Sequence, residues 1–108
     1  MSLPGLAEAL AGLATRGEVM AYGDLARALA LPNPGSIARL TAALEAMMIE
    51  DTATGRPMRA VLCRAKLNDL PAAGFFELAT QLGRFDGQDP VGFVASERAA
   101  LFNAASLR

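Results

Sequence analysis

Apolar residues recur at helical spacing along much of the chain, and the longest such pattern lies between residues 20 and 50. A short helix is predicted to begin at Tyr22-Gly23-Asp24 and to continue to about Leu29. A second helix with one apolar face is predicted after a break in the pattern. The apolar positions of this second helix are Ile37, Leu40, Leu44, Met47 and Met48.

The break between these two helices has a clear cause in the sequence. Leu31-Pro32-Asn33-Pro34-Gly35 contains two prolines, which cannot extend a helix, and a glycine, which favours a turn. Ser36 follows at the N-cap position, where its hydroxyl can accept a hydrogen bond from a free amide of the next turn. Helix, tight turn and amphipathic helix together predict a helix-turn-helix over residues 20–50.

A further helix is predicted before this motif. Ser2 is expected to cap it, Pro4 suits its first turn, and Gly17 is a plausible C-terminal stop. Residues 18–21 then form a short link with one extended residue pair. The apolar stripe of this first helix is Leu3, Leu6, Leu10 and Leu13.

After residue 50 the spacing of the apolar residues changes from the helical period to an alternation of every second residue. Met58 to Lys66 alternates between two sides and is the best strand candidate. The following segment 68–74 has two interpretations. It is either the tip of a β-hairpin, with Gly74-Phe75-Phe76 returning along the strand, or the loop before a helix that begins at Phe75 and Phe76.

The C-terminal part is predicted to be helical. A short helix should end at Gly83, and Asp89-Pro90 is a strong helix start. The apolar stripe of the last helix contains Val91, Val94, Arg98, Leu101 and Phe102. The order of elements predicts one α+β, mostly helical, winged-helix-like domain over residues 1–108, with a helix-turn-helix, a short β-hairpin and a C-terminal helix.

The charges nearly cancel, but they are unevenly distributed. Ten basic and eleven acidic residues give a net charge of −1, so the overall field does not indicate a nucleic-acid-binding protein. One basic cluster nevertheless lies just before and within the strand candidate, with no acidic residue between Asp51 and Asp69. Its members are Arg56, Arg59, Arg64 and Lys66.

The composition excludes most familiar catalytic sites. The chain has no histidine and a single cysteine, which removes nucleophile–histidine pairs, histidine-bearing zinc sites and thiolate metal cages. No phosphate-binding glycine loop is present. We therefore predict no catalytic residues, no metal and no cofactor. Cys63 is either a reactive thiol beside basic residues or a small buried core residue.

The sequence also bears on location. One cysteine allows no disulfide within the chain, the N-terminus has no signal-peptide pattern, and no apolar run is long enough to span a membrane. The expectation is a cytoplasmic protein without a membrane partner.

The candidate binding residues follow from the two motifs, and each has a structural alternative. Arg39 could reach a phosphate or base edge, or it could be a solvated helix position. The basic cluster could follow a phosphate backbone, or it could protect a strand edge. Tyr22 could bind a phosphate or pack at the helix entry. The full candidate set is Tyr22, Ser36, Arg39, Thr41, Arg56, Arg59, Arg64 and Lys66.

Several of these motifs resemble a known family. Met20-Ala21-Tyr22-Gly23-Asp24-Leu25-Ala26, the proline-rich turn and Ala38-Arg39 are similar to the helix-turn-helix of alkylguanine-DNA alkyltransferases and alkyltransferase-like proteins. Leu62-Cys63-Arg64-Ala65 stands at about the position of that family's Pro-Cys-His-Arg motif, and Gly74-Phe75 resembles its glycine–aromatic turn.

The resemblance covers roughly residues 18–76. Leu62 replaces the family's proline, and no histidine can relay a proton from Cys63. The resemblance therefore implies the fold and a DNA-facing use of Tyr22, Ser36 and Arg39, but not alkyl transfer. The layout is also similar to that of small bacterial winged-helix domains.

Two main function hypotheses remain open at this point, beside a third, a thiol-dependent enzyme centred on Cys63, which carries less weight. The first is a non-catalytic winged-helix domain that binds nucleic acid, with double-stranded DNA as its partner. The alternative is a winged-helix-shaped module for protein–protein interaction or self-association, because alanine-rich helices allow close approach.

Overall fold

The computed structural model describes residues 3–106, which form an α+β, mostly helical fold. A two-stranded sheet and a 3₁₀-helix lie among the α-helices. In chain order the elements are α1 (Leu6–Arg16), β1 (Met20–Ala21), α2 (Tyr22–Ala28), α3 (Ser36–Ala53), the 3₁₀-helix (Arg59–Leu62), β2 (Cys63–Arg64), α4 (Ala73–Gln81) and α5 (Pro90–Ser106).

The end of the first helix and the link after it agree with their sequence signals, whereas the start of the helix does not. α1 ends at Gly17, whose φ of 67° is the left-handed conformation that glycine adopts without a steric penalty. The N-cap is Gly5, so Pro4 precedes the helix and the prediction that it lies in the first turn is wrong; the predicted cap Ser2 lies outside the described residues. The predicted extended pair is β1.

The predicted break between α2 and α3 is confirmed, but the predicted N-cap at Ser36 is wrong. Gly35, with a φ of 93°, occupies the cap position, so Ser36 is already the first helical residue. Its buried hydroxyl instead donates to Asn33 Oδ1 at 2.7 Å and ties the helix start to the turn. α3 continues to Ala53, and Ile37, predicted to be part of the apolar face, is 45% exposed.

The predicted strand over residues 58–66 is wrong for most of its length. Its centre is the 3₁₀-helix, and only Cys63 and Arg64 are extended as β2. The segment lies between α1, α3 and α5 and is buried on more than one side, so a strand with one exposed face does not fit there. Its buried residues are Met58, Ala60, Val61, Leu62 and Cys63.

The predicted β-hairpin is absent from residues 3–106. β2 pairs with β1 in parallel, in the register Met20↔Cys63 and Ala21↔Arg64. The segment proposed to return along the strand is helical instead, because Phe75 buries its ring from α4. The alternative interpretation, in which Phe75 and Phe76 begin a helix, is therefore confirmed.

The start of α5 is as predicted, but part of its stripe is not. Asp89 Oδ1 accepts a hydrogen bond from the Gly92 amide at 3.1 Å, which is the expected capping contact before Pro90. Val94 and Arg98 are buried, whereas Val91 is 62% exposed. α5 packs against α1 and the 3₁₀-helix, so these three elements and α3 enclose the core.

Candidate nucleic-acid interface

The corner between α2 and α3 places Arg39 at the surface. Arg39 is exposed and donates from Nη1 to the carbonyl oxygen of Pro32 in the turn at 3.2 Å. Thr41 is exposed on the same helix, with Ala38 and Ala42 as small exposed neighbours. In α3 no acidic side chain precedes Glu45, so the N-terminal half of the helix carries only the positive charge of Arg39.

A cavity of about 470 Å³ lies beside this corner. Three candidate residues, Tyr22, Arg64 and Lys66, line it although they come from two distant segments of the chain. The parallel pairing of β1 with β2 causes this convergence, because Ala21 lies opposite Arg64. The other lining residues are Ala21, Gly23, Asp24, Arg27 and Ile37.

Tyr22 connects the start of α2 to the segment before α4. Its hydroxyl accepts a hydrogen bond from the Ala72 amide at 3.0 Å. Burial raises the pKa of this half-buried tyrosine above its ordinary value. Tyr22 therefore has a structural contact and a place in the cavity wall at the same time.

Arg64 and Lys66 are the cations of the cavity that follow β2. Arg64 Nη1 donates to the carbonyl oxygens of Ala65 and Lys66, at 3.1 and 3.3 Å. Lys66 is exposed. Across the cavity, Arg27 pairs with Asp24 on α2, so the acidic group of the lining already has a partner.

The other half of the predicted basic cluster lies elsewhere and is neutralised. Arg59 Nη2 is 2.8 Å from Asp51 Oδ1 and 2.6 Å from Glu50 Oε1. Arg56 Nη2 is 3.3 Å from the same Glu50 oxygen and 3.5 Å from Asp51 Oδ1. The structure thus pairs Arg56 and Arg59 with the C-terminal end of α3 and separates their role from that of Arg64 and Lys66.

Asp51 is the centre of this ion-pair cluster. Its side chain is fully buried and accepts from the backbone amide of Arg59 at 3.0 Å as well as from the guanidinium. The hydrogen bond to Asp51 raises the pKa of Arg59, which stays charged. The arrangement fixes the start of the 3₁₀-helix against α3.

Cys63 is a core residue, as one of its two interpretations predicted. It is fully buried on β2, and burial raises the pKa of its thiol to about 12. A neutral, enclosed thiol is a poor nucleophile at neutral pH. Cys63 therefore supplies packing in the sheet.

Sequence reasoning missed the role of Arg98. This buried residue of α5 donates from Nε to the carbonyl oxygen of Val61 at 2.7 Å and from Nη2 to that of Asp69 at 2.8 Å. It thereby holds the segment after β2 against the core. Its position on the predicted apolar stripe of the last helix was the available signal, because an arginine there must be buried with partners.

The described residues hold no cluster of three or more side chains of the metal-binding types His, Cys, Asp and Glu. Within residues 3–106 no helix combines the length and the apolar character that crossing a bilayer requires. The fold and the site define a small, mostly helical α+β domain with Arg39 exposed at the corner between α2 and α3. Compared with known proteins, the chain matches no family model, no curated protein and no solved structure.

Proposed function

We propose that this chain is a non-catalytic, winged-helix-like domain that binds duplex nucleic acid through the α2–α3 corner. The observation that carries the proposal is the convergence of Tyr22, Arg64 and Lys66 on one cavity that Ile37 of α3 also lines. The motif resemblance of residues 18–76 to DNA-binding alkyltransferases supports the same surface.

The charge balance of this corner supports an anionic partner. Arg27, Arg39, Arg64 and Lys66 supply four positive charges around it, whereas Asp24 supplies one negative charge that is paired with Arg27. Lys and Arg side chains that neutralise phosphates provide most of the affinity of nucleic-acid-binding proteins. The local surplus is compatible with a net charge of −1 for the whole chain.

The shape of α3 supports entry into a groove. Exposed Ala38 and Ala42 are small, so the helix backbone can approach a duplex closely. Arg39 and Thr41 are then the side chains that can reach base edges or phosphates, in the manner of a recognition helix. Tyr22 and Ser36 position the helix starts through their contacts with Ala72 and Asn33.

The test is fluorescence anisotropy of a labelled DNA duplex titrated with the protein at several salt concentrations. The logarithm of the affinity should fall linearly with the logarithm of the salt concentration. Arg39→Ala, Arg64→Ala and Lys66→Ala should each weaken binding, and each lost phosphate contact should reduce the slope by about 0.9.

Arg16→Ala is the matched control. Arg16 is an exposed arginine at the end of α1 that pairs with Glu18 and does not line the corner cavity, so its loss removes the same charge without removing one of the cations of that cavity. The proposal fails if the duplex is not bound at low salt, if binding is independent of salt, or if Arg39→Ala and Arg16→Ala bind equally well.

A second candidate function is a module for protein interaction or self-association. It is supported by the large apolar side chains that are exposed in the described part of the chain, namely Ile37, Ile49, Leu67 and Val91. Sedimentation velocity should then show concentration-dependent association. A monomer at all concentrations would contradict self-association.

A further inference from the structure

The segment between β2 and α4 presents one leucine almost completely to solvent. Leu67 is 95% exposed, compared with 62% for Val91 and 53% for Ile49. We call residues 65–72, which contain Leu67, the 65–72 loop. A branched apolar side chain in such a position gains free energy only when a partner covers it.

The 65–72 loop is held in place by many hydrogen bonds. The Ala65 amide donates to the Leu70 carbonyl oxygen at 2.9 Å, and the Leu70 amide donates to Asn68 Oδ1 at 3.0 Å. The Ala72 amide donates to the Tyr22 hydroxyl. Leu67 therefore projects from a braced loop, and a partner pays little entropy to order it.

Buried Arg98 anchors the same loop from the core side. Its guanidinium donates to the Asp69 carbonyl oxygen and lies 3.2 Å from the Asp69 carboxylate. Because the same side chain also bonds Val61, the loop is tied to α5 and to the end of the 3₁₀-helix.

The charges around Leu67 fit a polyanion. Lys66 precedes it, Arg64 lies on the adjoining strand, and the acidic Asp69 is paired with Arg98. Lys66 also lines the cavity shared with Ile37, so the loop adjoins the α2–α3 corner. An exposed leucine that follows two cations in the sequence, next to a helix proposed to enter a groove, matches the side chains that unstack base steps in the minor groove.

We propose that Leu67 is an apolar wedge that inserts at a base step in the minor groove of a DNA duplex, while Lys66 and Arg64 contact the flanking phosphates. This inference depends on the proposed function, because it names a second point of contact for the same nucleic-acid-binding surface. It also assigns a consequence to binding, namely local unstacking of the duplex.

The experiment uses the full chain and duplexes that carry 2-aminopurine at successive positions, because the fluorescence of this base rises when it is unstacked. The wild-type protein should raise the signal at one or a few positions. Leu67→Ala should abolish the rise and weaken binding roughly tenfold, since it removes most of the apolar surface that the step would cover. Leu67→Phe should retain the rise, because phenylalanine also serves as a wedge.

Val91→Ala is the matched control, since Val91 is an exposed apolar residue at the start of α5. It should leave both affinity and fluorescence at the wild-type level. Urea denaturation of each variant establishes that the fold is retained, which is expected because Leu67 makes little contact with the core.

The outcomes separate this inference from the proposed function. Duplex binding without a 2-aminopurine signal, or equal behaviour of Leu67→Ala and Val91→Ala, overturns the wedge and leaves nucleic-acid binding in place. Absence of duplex binding at low salt overturns both. Binding to anionic phosphatidylglycerol vesicles that depends on Leu67, without unstacking of the duplex, assigns the leucine to a membrane surface and overturns the wedge.

Discussion

The two halves of the basic cluster have opposite environments although only four residues separate Arg59 from Arg64. Arg59 and Arg56 meet Asp51 and Glu50 at the end of α3, where an ion-pair cluster attaches the 3₁₀-helix. Arg64 and Lys66 line an open cavity beside α2 and have no acidic partner within ion-pairing distance among residues 3–106.

The difference teaches that a run of like charges is not one functional unit. A guanidinium that already satisfies a buried carboxylate contributes to the fold, and moving it to a phosphate would leave that carboxylate unpaired. A cation whose contacts are backbone carbonyls or water can bind a phosphate group of a ligand without leaving a buried charge unpaired. We therefore assign the proposed binding role to Arg64 and Lys66 rather than to all four residues.

The largest effect expected from this comparison is on stability. Arg59→Ala should lower the free energy of unfolding by about 3–5 kcal/mol, because it leaves the Asp51 carboxylate buried without its main partner. Arg64→Ala should change it by less than about 1 kcal/mol, since only contacts within its own segment are lost. Urea denaturation of both variants measures this difference. Equal losses of unfolding free energy would contradict the distinction between Arg59 and Arg64.

A second test concerns the arginine that braces the region after β2. Arg98→Met should cost about 2–3 kcal/mol, because the methionine fills part of the volume but leaves the Val61 and Asp69 carbonyl oxygens without donors. Limited proteolysis should then cleave the 65–72 loop faster than in the wild-type protein.

Asp69→Asn provides the control for this test. The Asp69 side chain is 78% exposed, so weakening its ion pair should cost less than about 1 kcal/mol. An Arg98→Met protein as stable as Asp69→Asn, with an uncut loop, would show that Arg98 does not brace this region.

The smallest expected effect is the pH dependence of stability that Cys63 causes. This buried residue lies between the two halves of the basic cluster in the sequence. The folded protein holds the thiol proton up to a pKa of about 12, whereas the unfolded chain releases it near 9.0. Between these values the unfolded state binds fewer protons, so stability should fall by about 1.4 kcal/mol per pH unit as the pH rises. Below pH 9 this contribution is fully present.

Urea denaturation at pH 8 to 10.5 measures this dependence, with Cys63→Ala as the control. The variant should lose the part of the slope that begins near pH 9.0, while a decline due to Tyr22, whose pKa is also raised, persists in both proteins. Identical slopes in the two proteins would mean that the thiol is not enclosed.

Local signals predicted much of the helical architecture. Gly17 ends α1, the Pro–Gly segment separates α2 from α3, and Asp89 caps α5, because capping and backbone restrictions act within a few residues. The same signals failed over residues 58–62. Alternation indicates a strand only when one face is exposed, and here three helices cover the segment.

The candidate site was predictable as a set of residue types but not as a geometry. Tyr22 and Lys66 were both identified, yet their common cavity depends on the pairing of β1 with β2, which are distant in sequence. The bracing by Arg98 likewise depends on where α5 packs. No periodicity within a single element encodes such contacts.

The sequence by itself determined the end of α1, the break between α2 and α3, the start of α5, that no histidine-based chemistry is available, and which side chains carry positive charge. Only the tertiary structure decided that β1 and β2 pair in parallel and that Arg59 meets a buried carboxylate whereas Arg64 lines a cavity. The physical reason is the separation along the chain over which each kind of interaction acts. Caps and turns are decided between neighbouring residues, whereas ion pairs and strand registers are decided by the packing of the whole core.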